Sequence, residues 1–221
     1  MESGMISKYK AIIFDMDGTL IESMYIWRGV FREFIRKYSL KVPEMLKGIP
    51  EFTLGRAADH LMEQLPGWSR DDIVLEMMEL INLHYATDVP VKADAPELVR
   101  RLKEKGYTLA IATATPLRYA MTAIRRLGYE EMFDLIVSTE EIGMGKDKAE
   151  CFVRIADMLG CKIEECVMFE DALYAIKSAK AAGMKVCAIE DYYAWRQKDE
   201  IKNTADRYLA CYKELLNEMD A

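Results

Sequence analysis

Short apolar segments recur along this chain, and segments with helical character separate most of them. Five of these apolar segments fall at residues 9–15, 108–112, 134–138, 166–169 and 185–189. Their lengths and their β-branched and aromatic residues are typical of buried strands. Because strands that alternate with helices form parallel sheets covered on both faces, the pattern predicts an α/β fold with a parallel sheet core.

Helix signals lie between the predicted strands. Thr115 is placed to cap a helix, with Pro116 as the first helical residue. Residues 147–159 are amphipathic and end at a glycine, and so do the alanine-rich residues 172–182. We expect these helices to cover the two faces of the sheet.

Residues 21–88 interrupt the alternation of strands and helices. They contain no convincing strand, but residues 26–38, 52–65 and 69–86 carry apolar side chains at helical spacing. Ser69 stands where a serine would cap the third of these helices. We therefore expect an all-helical domain at residues 21–88, inserted into a core that comprises residues 1–20 and 89–221.

The net charge of the chain disfavours some classes of binding partner. The 221 residues carry a net charge of -7, which disfavours nucleic acids and anionic membranes because both require a basic face. No apolar run suits a signal peptide or a membrane-spanning helix. The five cysteines form no CxxC pair, as is typical of reduced thiols. We expect a cytoplasmic monomer that binds neither nucleic acid nor membranes.

The most informative segment is residues 14–20, FDMDGTL. Asp15 and Asp17 lie at the carboxyl end of the first predicted strand, and ligands bind at the carboxyl ends of strands in open α/β sheets. Paired carboxylates can divide nucleophilic attack and proton transfer between them. Asp-Gly between apolar residues is also a hairpin signal, but the next candidate strand lies beyond the helical insert. A tight hairpin is therefore disfavoured.

Further polar residues follow three other predicted strands. Thr113 follows the second strand, and Lys146 follows the third after a short loop. The acidic pair Glu170 and Asp171 follows the fourth. A hydroxyl, an ammonium group and carboxylates can together bind a phosphate and hold Mg²⁺, which prefers hard oxygen ligands. The pattern indicates phosphoryl transfer.

These segments resemble the motifs of the haloacid dehalogenase (HAD) superfamily, in its subgroup of small phosphatases and β-phosphoglucomutase-like enzymes. The matching segments are FDMDGTL at residues 14–20, ATAT at 112–115, GKDKAECF at 145–152 and FEDALYAIKSAKAAGM at 169–184. The resemblance implies a Rossmann-like parallel sheet core with an inserted all-helical cap domain of the C1 type. It also implies a Mg²⁺-dependent phosphoric monoester hydrolase that acts on a small phosphorylated metabolite.

The resemblance implies a role for each matched residue. Asp15 would be the nucleophile that forms an aspartyl-phosphate. Asp17 would protonate the leaving oxygen and then activate water. The groups that would hold the phosphoryl group are Thr113, the backbone near it at Ala114, and Lys146.

A metal site is implied in the same way. Its ligands would be Asp15, the backbone carbonyl of Asp17 and Asp171, with Glu170 helping directly or through water. The third motif departs from the family pattern, because Asp147 stands where many relatives have proline. Lys148 is therefore a rival of Lys146 for the phosphate-binding role, although we favour Lys146.

Other functions within the same fold remain open. Family dehalogenases lack the second aspartate of the first motif, so Asp17 favours phosphoryl chemistry. A β-phosphoglucomutase-type mutase is the main alternative, but its cap-domain histidine and arginine correspond here to Trp27 and Glu51. A catalytically weak phosphometabolite-binding protein would have no chemical need for both Asp15 and Asp17. We therefore predict a phosphatase for a sugar or polyol phosphate.

Three residues just after the first motif are candidates for substrate selection. They are Glu22, Tyr25 and Trp27. Aromatic faces suit sugar or base rings. The alternative is that the aromatic residues serve packing, as most buried aromatic side chains do.

Overall fold

The computed structural model describes residue 6 and residues 8–43 and 53–220. The chain divides into two compact units, one formed by Met1–Glu22 with Pro90–Ala221 and the other by Ser23–Val89. The sequence predicts the inserted domain at residues 21–88, and the second unit comprises Ser23–Val89. Among the described residues, the whole sheet belongs to the first unit.

The first unit is built on a parallel sheet with the strand order β3-β2-β1-β4-β5-β6. The described strands are β1 (Ala11–Phe14), β2 (Thr108–Thr113), β3 (Leu135–Ser138), β4 (Cys166–Glu170), β5 (Lys185–Ile189) and β6 (Arg207–Leu209). Every residue of β1 and β4 is buried, as expected of strands with helices on both faces. The predicted α/β fold with a Rossmann-like parallel sheet is confirmed.

Helices occupy most of the remaining described chain. In chain order they are α1 (Met24–Lys37), α2 (Leu54–Leu61), α3 (Arg70–Thr87), α4 (Ala95–Glu104), α5 (Leu117–Arg126), α6 (Thr139–Ile142), α7 (Ala149–Met158), α8 (Leu173–Ala181), α9 (Lys198–Thr204) and α10 (Lys213–Asp220). The first three belong to the second unit, and the others belong to the first.

The two faces of the sheet are covered by different apolar clusters. Ile13 of β1 lies in a buried cluster with Phe152 of α7 and Ile176 of α8. The adjacent residue Phe14 points to the opposite face, where its ring stacks on Phe169 with centroids 4.8 Å apart. Burial of side chains of this size stabilises the fold by roughly 1.5–3 kcal/mol each. This packing fixes the position of the residue that follows β1.

The order of the strands reverses beside β1. Phe14 at the end of β1 lies opposite Ile111 of β2 on one side and Phe169 of β4 on the other. A reversal of this kind leaves a crevice at the carboxyl edge of a parallel sheet, where ligands bind. Asp15 follows β1 and Glu170 ends β4, so both lie at that edge.

The second unit is helical in its described part, as the sequence predicts. Helix α3 begins with a capping box, in which Ser69 and Asp72 satisfy each other's backbone N–H groups. An aromatic group that contains Phe34, Tyr38 and Trp68 packs inside the unit. The predicted second helix is shorter than expected, since α2 is followed by a 3₁₀ turn at Met62–Gln64.

The prediction that Thr115 caps a helix is wrong. Pro116 is the residue that precedes α5, and no side chain caps that helix. The hydroxyl of Thr115 instead donates a hydrogen bond to Asp17. A carboxylate is a stronger acceptor than the uncharged groups around it, and the register of β2 brings Thr115 to the edge of the sheet where Asp17 lies.

Candidate active site

The loop after β1 brings its backbone close to a second acidic residue. Gly18 adopts a φ of +84°, a conformation that glycine reaches without strain. A Cβ atom at Gly18 would lie 2.5 Å from Oδ2 of Asp171. The next residue, Thr19, donates a hydrogen bond of 3.2 Å from its hydroxyl to Oδ1 of Asp171. The glycine is therefore required both by its own conformation and by the carboxylate that it contacts.

A buried lysine links two carboxylates from neighbouring strands. The ammonium group of Lys146 donates hydrogen bonds to Oδ1 of Asp15 and, at 2.8 Å, to Oε2 of Glu170. All three side chains are nearly inaccessible to solvent, with 1–4% of each residue exposed. The other oxygen of Glu170 accepts hydrogen bonds from the backbone N–H groups of Asp171 and Ala172. Glu170 thus orients Lys146 toward Asp15.

Burial shapes the acid–base properties of this group. Burial, together with the nearby charge of Glu170, raises the pKa of Asp15 to about 8, although Lys146 opposes the shift. Burial and the charges of Glu170, Asp15 and Asp191 raise the pKa of Asp171 well above its usual range, although Lys146 opposes the shift. Burial alone would lower the pKa of Lys146, but the charges of Asp15 and Glu170 outweigh it and raise that pKa. Lys146 therefore remains charged, but its single positive charge does not offset the repulsion among the buried carboxylates.

The donor set fits a hard divalent cation. Asp15, Glu170 and Asp171 each offer a carboxylate oxygen, and these oxygens lie within 4.8 Å of one another. When ionised, the three carboxylates face a single ammonium group, which leaves an excess of two negative charges. Mg²⁺ is bound by carboxylate oxygens of this kind, and its charge would offset that excess.

Asp17, the second acidic residue of the first motif, has different hydrogen-bond partners from Asp15. Oδ2 of Asp17 accepts a hydrogen bond of 2.7 Å from the hydroxyl of Thr115. The backbone N–H of Thr115 donates in turn to Oγ1 of Thr113, at 3.1 Å. Both threonines are buried. Asp17 is therefore held beside the end of β2, where the predicted phosphate-binding residues lie.

Most of the residues predicted to act in catalysis or binding come together at the carboxyl edge of the sheet. One group comprises Asp15, Lys146, Glu170 and Asp171, and the other comprises Asp17 and Thr113. Ala114 is an exposed residue in the bend after β2. Lys148, the rival of Lys146, is exposed and precedes α7.

The three residues predicted for substrate selection fall in different units. Glu22 belongs to the first unit, where one of its oxygens lies 3.2 Å from Nζ of Lys92. Tyr25 and Trp27 lie on α1 in the second unit, and the indole N–H of Trp27 donates to the hydroxyl of Tyr85 at 3.0 Å. Their role in selection stays a prediction.

Two residues near the site were not assigned to it from the sequence. Thr115 directly follows the predicted phosphate-binding residues in the sequence. Because a proline comes next, the sequence predicts a helix cap there and not a contact with Asp17. Tyr212 lies in the C-terminal segment, to which no chemistry was assigned, and its hydroxyl donates to the backbone carbonyl of Thr19 at 3.0 Å. The sequence around Tyr212 carries no signal of this contact.

Comparison with known proteins identifies the family. Residues 9–183 match the haloacid dehalogenase-like hydrolase family, and the chain belongs to that family. The phosphorylated carbohydrates phosphatase of Thermotoga maritima is 30% identical over 183 residues, which cover 80% of this chain and 82% of that protein. Hexitol phosphatase A of Escherichia coli is 30% identical over 185 residues, covering 81% and 82% respectively.

A solved structure has the same fold. The crystal structure of CbbY from Rhodobacter sphaeroides in complex with phosphate superimposes with a TM-score of 0.76 at 23% identity, covering 96% of this chain and 100% of that one. The predicted resemblance to HAD phosphatases is thus confirmed, as is the prediction that the chain is an enzyme, a HAD-like phosphoric monoester hydrolase. None of the described helices has the length and hydropathy needed to cross a membrane.

Proposed function

We propose that this enzyme is a Mg²⁺-dependent phosphatase that hydrolyses a small sugar or polyol phosphate through an aspartyl-phosphate. The observation that carries the proposal is the buried contact of Lys146 with Asp15 and Glu170, beside Asp171. A buried carboxylate with an ammonium group at one oxygen can attack phosphorus with the other oxygen. The lysine also offers positive charge to the phosphoryl group as it is transferred.

In the first half of the reaction, a carboxylate oxygen of Asp15 forms a bond to phosphorus while the bond to the leaving oxygen breaks. Asp17 gives its proton to that oxygen, and the product leaves as an alcohol. In the second half, Asp17 takes a proton from water, and the resulting hydroxide attacks the phosphorus while the bond between phosphorus and the Asp15 oxygen breaks. Inorganic phosphate is released, and Asp15 is restored.

The remaining groups bind and orient the substrate. Thr113 and the backbone of the exposed residue Ala114 suit the oxygens of the phosphoryl group, and Lys146 contributes its charge. Asp15, Glu170 and Asp171 would hold Mg²⁺, together with the backbone carbonyl of Asp17. When bound, the metal would reduce the repulsion between the nucleophilic carboxylate and the anionic phosphate.

The substrate class is inferred from the relatives. Two of them, at 30% identity, are named for phosphorylated carbohydrates and for hexitol phosphate hydrolysis, and another is a fructose-1-phosphate phosphatase of Escherichia coli at 25% identity. The compounds in these names are sugars or polyols that carry phosphate.

The five free cysteines also suit a reducing compartment such as the cytoplasm.

Hydrolysis is favoured over the mutase reaction. Trp27 stands where the resemblance places the mutase histidine, and its ring N–H is engaged by Tyr85. Indole lacks the basic nitrogen that a histidine would offer to a second phosphate. Glu51, at the position of the mutase arginine, lies outside the described residues.

The test measures phosphate release from sugar phosphates, polyol phosphates and nucleotides, with Mg²⁺ and with excess chelator. We expect Asp15→Asn to abolish turnover and the acid-stable acyl-phosphate signal, since an amide is a poor nucleophile. Asp157→Asn, which changes an exposed residue of α7, is the matched control. Full activity of Asp15→Asn, or of the wild type in chelator, would reject the proposal. Formation of glucose 6-phosphate from β-glucose 1-phosphate would favour the mutase.

A further inference from the structure

Thr115 holds the carboxylate of Asp17 from a well-fixed position. Its hydroxyl donates to Oδ2 of Asp17 at 2.7 Å, the usual distance for a hydrogen bond between two oxygen atoms. Its backbone N–H is anchored to Oγ1 of Thr113, the last residue of β2. Only 3% of Thr115 is exposed. The contact joins residues 98 positions apart in the chain, so it depends on the folded sheet.

This hydrogen bond fixes the orientation of the carboxyl group of Asp17. A hydroxyl that donates to a carboxylate oxygen forms a charge-assisted hydrogen bond, which is stronger than one between neutral groups. It restricts rotation of the carboxyl group about its terminal torsion, which is otherwise soft. It also occupies a lone pair of Oδ2, which favours Oδ1 as the atom that carries a transferable proton.

We propose that Thr115 is a positioning residue that aims Asp17 at the oxygen of the leaving group. The inference rests on the proposed function, because it assumes that Asp17 protonates that oxygen. Proton transfer in enzymes depends on hydrogen-bond geometry before it depends on acidity. A carboxyl group that rotates freely would meet the leaving oxygen less often in the required orientation.

The effect of losing the Thr115 hydroxyl should depend on the basicity of the leaving group. The alkoxide of a sugar or polyol is a strong base and has to be protonated as it departs. The p-nitrophenolate anion is stable and departs without a proton. Loss of the hydroxyl of Thr115 should therefore slow phosphoryl transfer from an alkyl phosphate and spare transfer from p-nitrophenyl phosphate. A general loss of structure would slow both reactions alike.

Three variants test the proposal. Thr115→Val keeps the size of the side chain and removes its hydroxyl, whereas Thr115→Ser keeps the hydroxyl. Asp17→Asn removes the proton donor itself. The matched control is Thr122→Val on α5, where the lost hydroxyl donates to the carbonyl oxygen of Arg118. The quantity measured is kcat/KM, with sorbitol 6-phosphate and with p-nitrophenyl phosphate, because it reports the step in which the leaving group departs.

We expect Thr115→Val to lower kcat/KM for sorbitol 6-phosphate by about 10- to 100-fold, a part of the usual contribution of a general acid. The loss with p-nitrophenyl phosphate should stay below about threefold. Thr115→Ser should restore most of the activity, and Thr122→Val should behave as wild type. Asp17→Asn should show the same selectivity with a larger loss.

Two outcomes would overturn the inference. One is an equal loss on both substrates in Thr115→Val, and the other is a failure of serine to restore the rate on sorbitol 6-phosphate. Either result leaves the proposed function standing if Asp15→Asn is inactive. Full activity of Asp15→Asn would instead reject the proposed function itself. The two failures are therefore distinguishable in the same set of assays.

Discussion

The hydroxyl of Tyr212 donates a hydrogen bond of 3.0 Å to the backbone carbonyl oxygen of Thr19. Tyr212 is fully buried just before α10, whereas Thr19 belongs to the loop after β1. The hydroxyl of Thr19 donates to Oδ1 of Asp171 at 3.2 Å. The C-terminal segment is thereby connected to a predicted metal ligand through the backbone of the first motif.

Tyr212→Phe tests this connection. Phenylalanine keeps the ring that packs near Phe169, with centroids 6.1 Å apart, but it leaves the carbonyl of Thr19 without this donor. We expect the free energy of unfolding to fall by about 1–3 kcal/mol, as for an unsatisfied buried acceptor, and Mg²⁺ to bind several-fold more weakly. Urea unfolding and calorimetric titration with Mg²⁺ measure these effects. Tyr192→Phe, at an exposed tyrosine, is the control; equal behaviour of the two variants would contradict the prediction.

Gly18→Ala separates backbone strain from crowding of the metal ligand. An alanine at a φ of +84° is strained, and its Cβ would displace the carboxylate of Asp171. Gly128 has a φ of +72°, but a Cβ atom there would meet nothing within 4 Å, so Gly128→Ala carries the strain alone. We expect both variants to lose about 1–2 kcal/mol of stability from strain. Only Gly18→Ala should also lose Mg²⁺ affinity and at least about tenfold in kcat/KM, since the metal ligand is displaced.

Normal Mg²⁺ affinity in Gly18→Ala would show that Asp171 can move aside without cost to the metal site. Loss of affinity in Gly128→Ala would show that strain outside the site is sufficient. Either result would contradict the argument from the 2.5 Å approach.

Local patterns predicted the sheet and the acidic residues at its edge. Strand β1 is an uninterrupted apolar segment, and its burial on both faces follows from its central place in the sheet. Asp15 and Glu170 end such segments, so a parallel sheet necessarily brings them to one edge. Their positions could be predicted because they depend on strand direction alone.

Contacts between distant side chains could not be predicted in the same way. The hydrogen bond from Tyr212 to Thr19 joins residues 193 positions apart, and the bond from Thr115 to Asp17 joins residues 98 apart. Threonine before proline is a frequent start of a helix, and only the folded sheet reveals the competing carboxylate. Strand β6 has three residues, too few for a periodic pattern to define its bounds.

The pH dependence of stability should depend in part on Asp206. Burial alone would raise the pKa of Asp206, but hydrogen bonds from Lys180, Lys185 and the backbone of Val186 outweigh it and lower the pKa to about 2. Because the pKa of Asp206 is lower in the folded state than in the unfolded state, ionised Asp206 stabilises the fold. This stabilisation is fully present at pH values above the ordinary pKa of 3.8, and it is lost as the pH falls toward 2.

Because Asp206 is partly exposed and solvent screens its ion pairs, we expect the stability difference between wild type and Asp206→Asn to shrink by about 1 kcal/mol as the pH falls from about 6 to about 2. Urea unfolding across that range measures the difference. Asp157→Asn, at an exposed residue, is the matched control. A difference for Asp206→Asn that stays constant with pH would contradict the assignment.

Substitutions of Lys146 and Lys148 show which of the two lysines binds the phosphoryl group. They are two positions apart, but Lys146 is buried between Asp15 and Glu170, whereas Lys148 is exposed. We expect Lys146→Met to lower kcat by about 10²- to 10³-fold, the usual effect of removing one group that stabilises a transition-state charge. Lys148→Met should retain nearly all of the activity. Steady-state assays at saturating Mg²⁺ measure both, and a larger loss in Lys148→Met would transfer the phosphate-binding role to the exposed lysine.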